Sequence, residues 1–185
     1  MCIRIAAAIA VLLLVGSHDV SAQAPASAAP CPLAVVPARV KGLDLVGWRK
    51  YPDAELGAVF NYRAEESFGA DVFLYPASEP LDAQIAGFKK DLQTLKDGGE
   101  IDSFEIMSER EVPGIDSQAT GRNVVATLHF DNAQHRSHYF LFAIGPQNVK
   151  IRVTHQMGRY TDEAVQAFIT ELLATLPRPA LDHQR

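Results

Sequence analysis

Three histidines are placed where they can do chemistry together. His129, His138 and His155 fall in one stretch, Asn123 to His155, that reads as successive strands broken by Asp131-Asn132-Ala133-Gln134 and Gly145-Pro146-Gln147-Asn148. If the first hairpin closes symmetrically about its turn, His129 opposes His138. If the second pairs Ile144 with Val149, His138 opposes His155. Opposed residues on one sheet face stand ~4.5–5.5 Å apart, and imidazoles that close can share Zn²⁺ or Cu²⁺. His135, placed in the nearby turn, is a further contributor. The reading depends on register, because a slip of one residue sends a side chain to the other face. The competing reading is of strand-end histidines, hydrogen-bonded or solvated, with no ligand.

The elements that must position these residues are legible. Gly and Asn tolerate positive φ and Pro presets a turn. Between the turns, Val124, Val125, Tyr139, Phe140, Phe142, Ile144, Val149, Ile151 and Val153 are β-branched or aromatic, which favours strand. Val149, Ile151 and Val153 alternate with Lys150, Arg152 and Thr154, the pattern of a half-buried strand. The run from Tyr139 to Ile144 is apolar on both faces, as in a strand covered on both sides. Upstream, Leu43 to Lys50, Leu56 to Arg63 and Ala70 to Tyr75 read as strands, and Phe104 to Val112 as a fourth.

Two segments carry helical periodicity. Leu81, Ile85, Phe88, Leu92 and Leu95 form one stripe over Leu81 to Asp97, closed by Gly98-Gly99. The second helix runs from Asp162 to Leu176, with Thr161 as N-cap and Asp162 and Glu163 suited to the positive end of its dipole. Its buried stripe is Val165, Phe168, Ile169, Leu172, Leu173 and Leu176. The order is β-β-β-α-β-β-β-β-α. Two amphipathic helices need one apolar surface, and a single antiparallel sheet supplies it, so the fold class is α+β.

Of the 185 residues, the first segment is an address. Arg4, the apolar run Ile5 to Val15 and the small-residue site Val20-Ser21-Ala22 compose a signal peptide over 1–22. The run is shorter than the ~20 residues a bilayer demands. No Cys stands at the cleavage site and no twin-Arg pair precedes it. The expected location is periplasmic or secreted, after cleavage near Ala22. A flexible Ala/Pro-rich lead follows over 23–42, then one domain over 43–177 and a tail over 178–185. Cys2 leaves with the signal peptide, so Cys31 is the odd thiol and no intramolecular disulfide is expected.

Charge is unevenly laid out. The net formal charge is −5, yet Ala119 to Tyr160 holds Arg122, Arg136, Lys150, Arg152 and Arg159 against the single acid Asp131. Residues Asp53 to Asp116 are strongly acidic. A basic patch with Lys150, Arg152 and Arg122 is therefore a candidate surface for an anionic envelope component or an acidic protein. The alternative is a solvated face paired with acids on adjacent strands. An acidic total with an export signal argues against nucleic acid. The aromatics Trp48, Tyr51, Phe60, Tyr62, Phe73 and Tyr75 read mostly as core, with Trp48 a weak candidate for lining a pocket. No nucleophile elbow, phosphate loop, HExxH, CxxC or dinucleotide fingerprint is present.

The order of elements, the Trp48/Tyr51-Pro52 start, the Phe88 helix and the FLFAIG…VKIRVT hairpin before EAVQAFITELLATL resemble the PsbP-like and DcrB-like superfamily. That resemblance covers Leu43 to Pro177. It implies a small secreted or lumenal α+β domain with a non-enzymatic accessory role, a partner yet to be named and no resident cofactor. The expected function is thus an exported binding domain of the cell envelope. A metal-binding protein using the histidines and an enzyme with an unrecognised site are the alternatives.

Overall fold

A computed structural model describes residues 36–64, 68–77, 79–114, 120–144 and 147–176. The segment over 1–22 expected to be a signal peptide, Cys31, the lead up to residue 35, the loop over 115–119, the connection 145–146 and the tail from residue 177 lie outside the described residues. The strands are β1 (Arg39–Val40), β2 (Leu43–Lys50), β3 (Ala58–Arg63), β4 (Phe68–Pro76), β5 (Ser103–Pro113), β6 (Thr120–Phe130), β7 (Ala133–Ile144) and β8 (Gln147–Gln156). The helices are α1 (Leu81–Asp97) and α2 (Asp162–Thr175). The fold is α+β, with one antiparallel sheet in the order β1-β2-β3-β4-β8-β7-β6-β5.

The sheet starts earlier than Leu43. Lys41 and Gly42 both take positive φ, so a two-residue turn pairs Val40 with Leu43. Val40 is fully buried. Leu56, read as the start of a strand, instead sits exposed in a 3-10 turn over Ala54–Leu56 that Asp53 caps by accepting from the Glu55 N–H. Gly57 then crosses so close to Leu74 that an added Cβ would lie 1.9 Å from the Leu74 carbonyl oxygen. No other residue type fits there.

The two helices cover opposite faces. After β4, near the middle of the sheet, α1 crosses to reach β5 at the far edge. It buries Ile85, Phe88 and Leu92 against Val124, Ala126, Leu128, Tyr139 and Leu141. Phe88 stacks on Tyr139 at 4.2 Å between ring centroids. Residues of the opposite parity, including Tyr62, Ala70, Val72, Phe140, Ile151 and Val153, face α2 and are buried. There Phe168 meets Tyr62 edge to face at 5.6 Å, and the Tyr62 hydroxyl donates to the Pro37 carbonyl at 2.7 Å. Thr161 caps α2 as its sequence position implied, accepting from the Ala164 N–H.

Each helix therefore stabilises the fold by burying its stripe on its own half of the sheet. Phe168→Ala is expected to cost roughly 3–5 kcal/mol, the price of deleting a buried aromatic ring without refilling its space. Met107→Ala, at the exposed bulge of β5, is expected to stay within about 0.5 kcal/mol. Urea unfolding of the two variants measures both, and equal losses would disprove this account of the core.

Candidate functional site

The site grows from the register of the β6–β7–β8 meander. Asp131 and Asn132 both adopt positive φ, at 52° and 57°, so they alone form the turn and Phe130 pairs with Ala133. The four-residue turn expected from composition is thus corrected to two residues. Asp and Asn are the non-glycine types that tolerate this backbone best. His129 consequently faces Gln134 and not His138, which faces Val125. In the second hairpin Ile144 pairs with Gln147, and His138 faces Val153 while His155 faces Arg136.

Both corrections shift register by an even number of residues, so the faces are preserved while the contacts change. His138 and His155 become diagonal neighbours on the α2 face, with ring centroids 5.8 Å apart and planes 19° from parallel. His129 shares that face but lies four residues along β6 from the partner of His138, roughly 13 Å away at strand rise. It pairs with Ser103 at the sheet's edge. His135 belongs to β7 and not to a turn, and its parity places it on the α1 face, where it stacks on Phe130 at 3.7 Å.

The third member of the cluster is Asp162. It is the first residue of α2, and the docking of that helix brings its carboxylate over the sheet. Asp162 Oδ1 stands 3.2 Å from His138 Nε2. One ligand atom from each of His138, His155 and Asp162 lies within 4.8 Å of the others. Sequence reading assigned Asp162 to the helix dipole. Its ligand geometry is a tertiary fact, for which the chain offers no local signal.

The two imidazoles are in an unusual state for buried groups. Both are only 2% exposed, yet no described residue makes a hydrogen bond to Nδ1 or Nε2 of His138, or to Nε2 of His155. The Asp162 carboxylate lies within ion-pair reach of His138 Nε2. His155 Nδ1 lies 3.3 Å from the Gln156 carbonyl. A carbonyl only accepts, so Nδ1 carries the proton and the Nε2 lone pair is left available. Fixing the tautomer through the second ring nitrogen is the usual outer-shell arrangement of a metal-ligating histidine. Burial pushes the His138 pKa down to about 4, against the opposing pull of Asp162. Burial also lowers that of His155. Both rings are neutral at neutral pH, the state in which imidazole binds metal.

Around the cluster, Phe68 stacks on His155 and packs against Tyr160 at 4.6 Å. The group borders an open depression of about 280 Å³ lined by Arg136, His155, Met157, Gly158, Tyr160, Asp162 and Glu163. One side of the site is thus an aromatic and β-sheet floor, and the other opens outward.

The proposed basic patch lies on the opposite face, and its cations are engaged within the chain. Arg152 meets Asp71 at 2.8 Å, and Arg63 meets the same carboxylate at 3.0 Å. Burial alone would raise the Asp71 pKa, but Arg152 and Arg63, with the Asn61 amide, bring it below the ordinary value. Lys150 places Nζ over the Phe73 ring at 4.2 Å, and burial with Arg152 nearby pushes its pKa down to about 8. Arg122 bonds Asp82 at 2.6 Å and reaches Glu109 and Glu111. Trp48 is half exposed beside Phe60.

No protein-family model and no curated protein matches the chain. Among solved structures it is similar to the solution structure of cyanobacterial PsbP from Synechocystis sp. PCC 6803. The identity is 11%, over 75% of this chain and 88% of that one, with a TM-score of 0.49. It is also similar to the crystal structure of PA94 from Pseudomonas aeruginosa, a protein of unknown function described as a putative regulator. There the identity is 10%, over 74% and 85% of the two chains, with a TM-score of 0.42. Among the described residues, no helix is long and apolar enough to cross a membrane.

The buried neutral histidines make stability depend on pH in a definite direction. Above pH 6.5 His138 is uncharged in both folded and unfolded chains. As pH falls from there to about 4, the unfolded chain takes up a proton that the folded chain refuses, so stability is lost across that window. The loss from His138 is on the order of 3 kcal/mol, and His155 adds to it in the same sense. Urea unfolding through the window reads this slope. His138→Phe, a neutral ring of similar size, is expected to flatten it, and an unchanged slope would refute the assignment.

Proposed function

We propose that the chain is an exported, non-enzymatic accessory domain of the cell envelope whose ligand is a first-row transition-metal ion held by His138, His155 and Asp162. The observation that carries this reading is the convergence of three ligand atoms within 4.8 Å, two of them on buried imidazoles that lack sufficient partners. Leaving a buried polar atom unsatisfied costs about 1–3 kcal/mol, and a bound cation would offset that cost. The Arg4, Ile5–Val15 and Val20-Ser21-Ala22 pattern supports export.

The donor set favours Zn²⁺ or Cu²⁺ over Ca²⁺ or Mg²⁺, because imidazole nitrogen suits borderline ions and hard ions prefer oxygen. Ligands each about 2.1 Å from a shared zinc stand roughly 3.4 Å apart in a tetrahedron. The three groups therefore need to close by about an ångström. Asp162, half exposed at the end of a helix, is the ligand freest to move. Three protein ligands leave a coordination position toward the depression, where a water or a partner's donor would complete the shell.

Thermal unfolding tests the proposal after chelation and then with Zn²⁺ or Cu²⁺ added. At a hundred times the dissociation constant, native-state binding should add about 2.7 kcal/mol. The gain should vanish in His155→Ala and in Asp162→Asn, and persist in His129→Ala. No gain in the parent chain, or a gain indifferent to His155 and Asp162, would overturn the site. Export has its own check: the mass of the mature protein should begin at Gln23, and an intact N-terminus in the envelope fraction would contradict cleavage.

A further inference from the structure

Arg136 stands beside the proposed metal ligands. It faces His155 directly across β7 and β8, so the two Cβ atoms are ~4.5–5.5 Å apart on one face. Its side chain is about three-quarters buried and lines the same depression as His155, Tyr160 and Asp162. Its one ion-pair contact there is long, 3.5 Å from Nη1 to Asp162 Oδ2. The buried Nε–H is reached by no acceptor among the described residues. A guanidinium offers five donors in a planar fork, and most of these are left for something else.

Charge points to what that is. Two neutral imidazoles and one carboxylate leave a divalent ion with one positive charge in excess, and Arg136 adds a second within the same pocket. Glu163 also lines the depression but is exposed to solvent, and counting it still leaves one positive charge in excess. A half-buried site with excess positive charge, an open coordination position and unfilled N–H donors selects an anion. We infer that the metal-loaded site takes a small oxyanion, a carboxylate or a phosphate, with one oxygen on the metal and another on the Arg136 guanidinium. The two binding elements match because a planar fork grips paired oxygens while a metal polarises one of them. The depression of about 280 Å³ holds roughly nine waters' worth of volume, ample for either group.

This inference rests on the proposed metal site, and the experiment separates the two. The purified protein is loaded with one equivalent of Co²⁺, whose visible d–d bands report both occupancy and coordination number. It is then titrated with acetate in one arm and inorganic phosphate in the other. The expected result is a saturable change of the bands in at least one arm, and the arm that responds identifies the oxyanion. Arg136→Met should weaken that response by about tenfold or more, the scale of one charge-assisted pair. Arg136→Lys, which keeps the charge without the fork, should fall between, and it serves alone if Arg136→Met does not fold. Absent cobalt bands in the parent protein would overturn the metal site and this inference with it. Bands that ignore both anions, or an anion response indifferent to Arg136, would overturn the inference alone.

Discussion

The register of β6 against β7, and so the placing of His129 and His135 apart from the site, depends on a two-residue turn. Asp131 and Asn132 both occupy the left-handed region, a backbone whose twist matches that of the strands it joins. Once those two residues close the hairpin, every pairing of β6 with β7 is set, and with it the face that each side chain takes. His138 goes to the α2 face and His135 to the other, where Phe130 covers it. The same device at Lys41-Gly42 folds β1 back on β2. Local backbone chemistry at two short turns thus determines long-range contacts.

Much of this is legible in the sequence. Both helices occupy the residues that their apolar periodicity implied, because a 3.6-residue stripe over some fourteen positions leaves little choice of phase. Strand alternation in Val149, Ile151 and Val153 likewise marked the buried face. What composition did not resolve was turn length. Asp131-Asn132-Ala133-Gln134 contains four turn-compatible residues, and only the backbone angles show that two suffice. Because the pairing depends on where the turn closes, His129 faces Gln134, four positions from the expected His138, while staying on the expected face. Asp162 was beyond reach for a different reason. Its role comes from where α2 docks, which no local pattern encodes. Nor could the sequence show that Arg152 and Arg63 share Asp71, since that pairing depends on β4 lying beside β8.

The two faces of the sheet solve the problem of polar groups differently. On the α1 side, Asp71 is satisfied by two guanidiniums and an amide, and Lys150 rests its ammonium on an aromatic ring. Arg122 Nε and His135 Nδ1 on that side have no hydrogen-bond partner among the described residues. On the α2 side, His138 and His155 are buried with nitrogen atoms that lack hydrogen bonds, under a helix whose neighbouring residues are apolar. A fold selected for stability alone would place Phe or Leu at such positions, since replacing buried polar groups with well-packed apolar ones is commonly neutral or favourable. Unsatisfied buried atoms also occur elsewhere, at Arg122 Nε, Asn123 Oδ1, His135 Nδ1 and Asn148 Nδ2; what distinguishes the α2 side is that three such nitrogens of His138 and His155 stand beside the Asp162 carboxylate.

The position of Asp162 adds a mechanical consequence. It is the first residue of α2, so its carboxylate moves with the helix, whereas His138 and His155 are fixed by the sheet ladder. Any ion coordinated by all three joins the start of α2 to the centre of the sheet. Phe168, six residues along, packs on Tyr62 two strands beyond β8, so the helix is already held along its length by apolar contacts. The sheet residues and the packed helix leave only the end of α2 and the Met157–Thr161 approach to adjust. Asp162 already stands 3.2 Å from His138 Nε2, so its movement adjusts the site on the His155 side, while the packed sheet resists larger changes. The histidines supply a rigid half-site and the helix end supplies the closing ligand. Such a division lets metal affinity be tuned by the connection before α2 without disturbing the register on which the rest of the site is built.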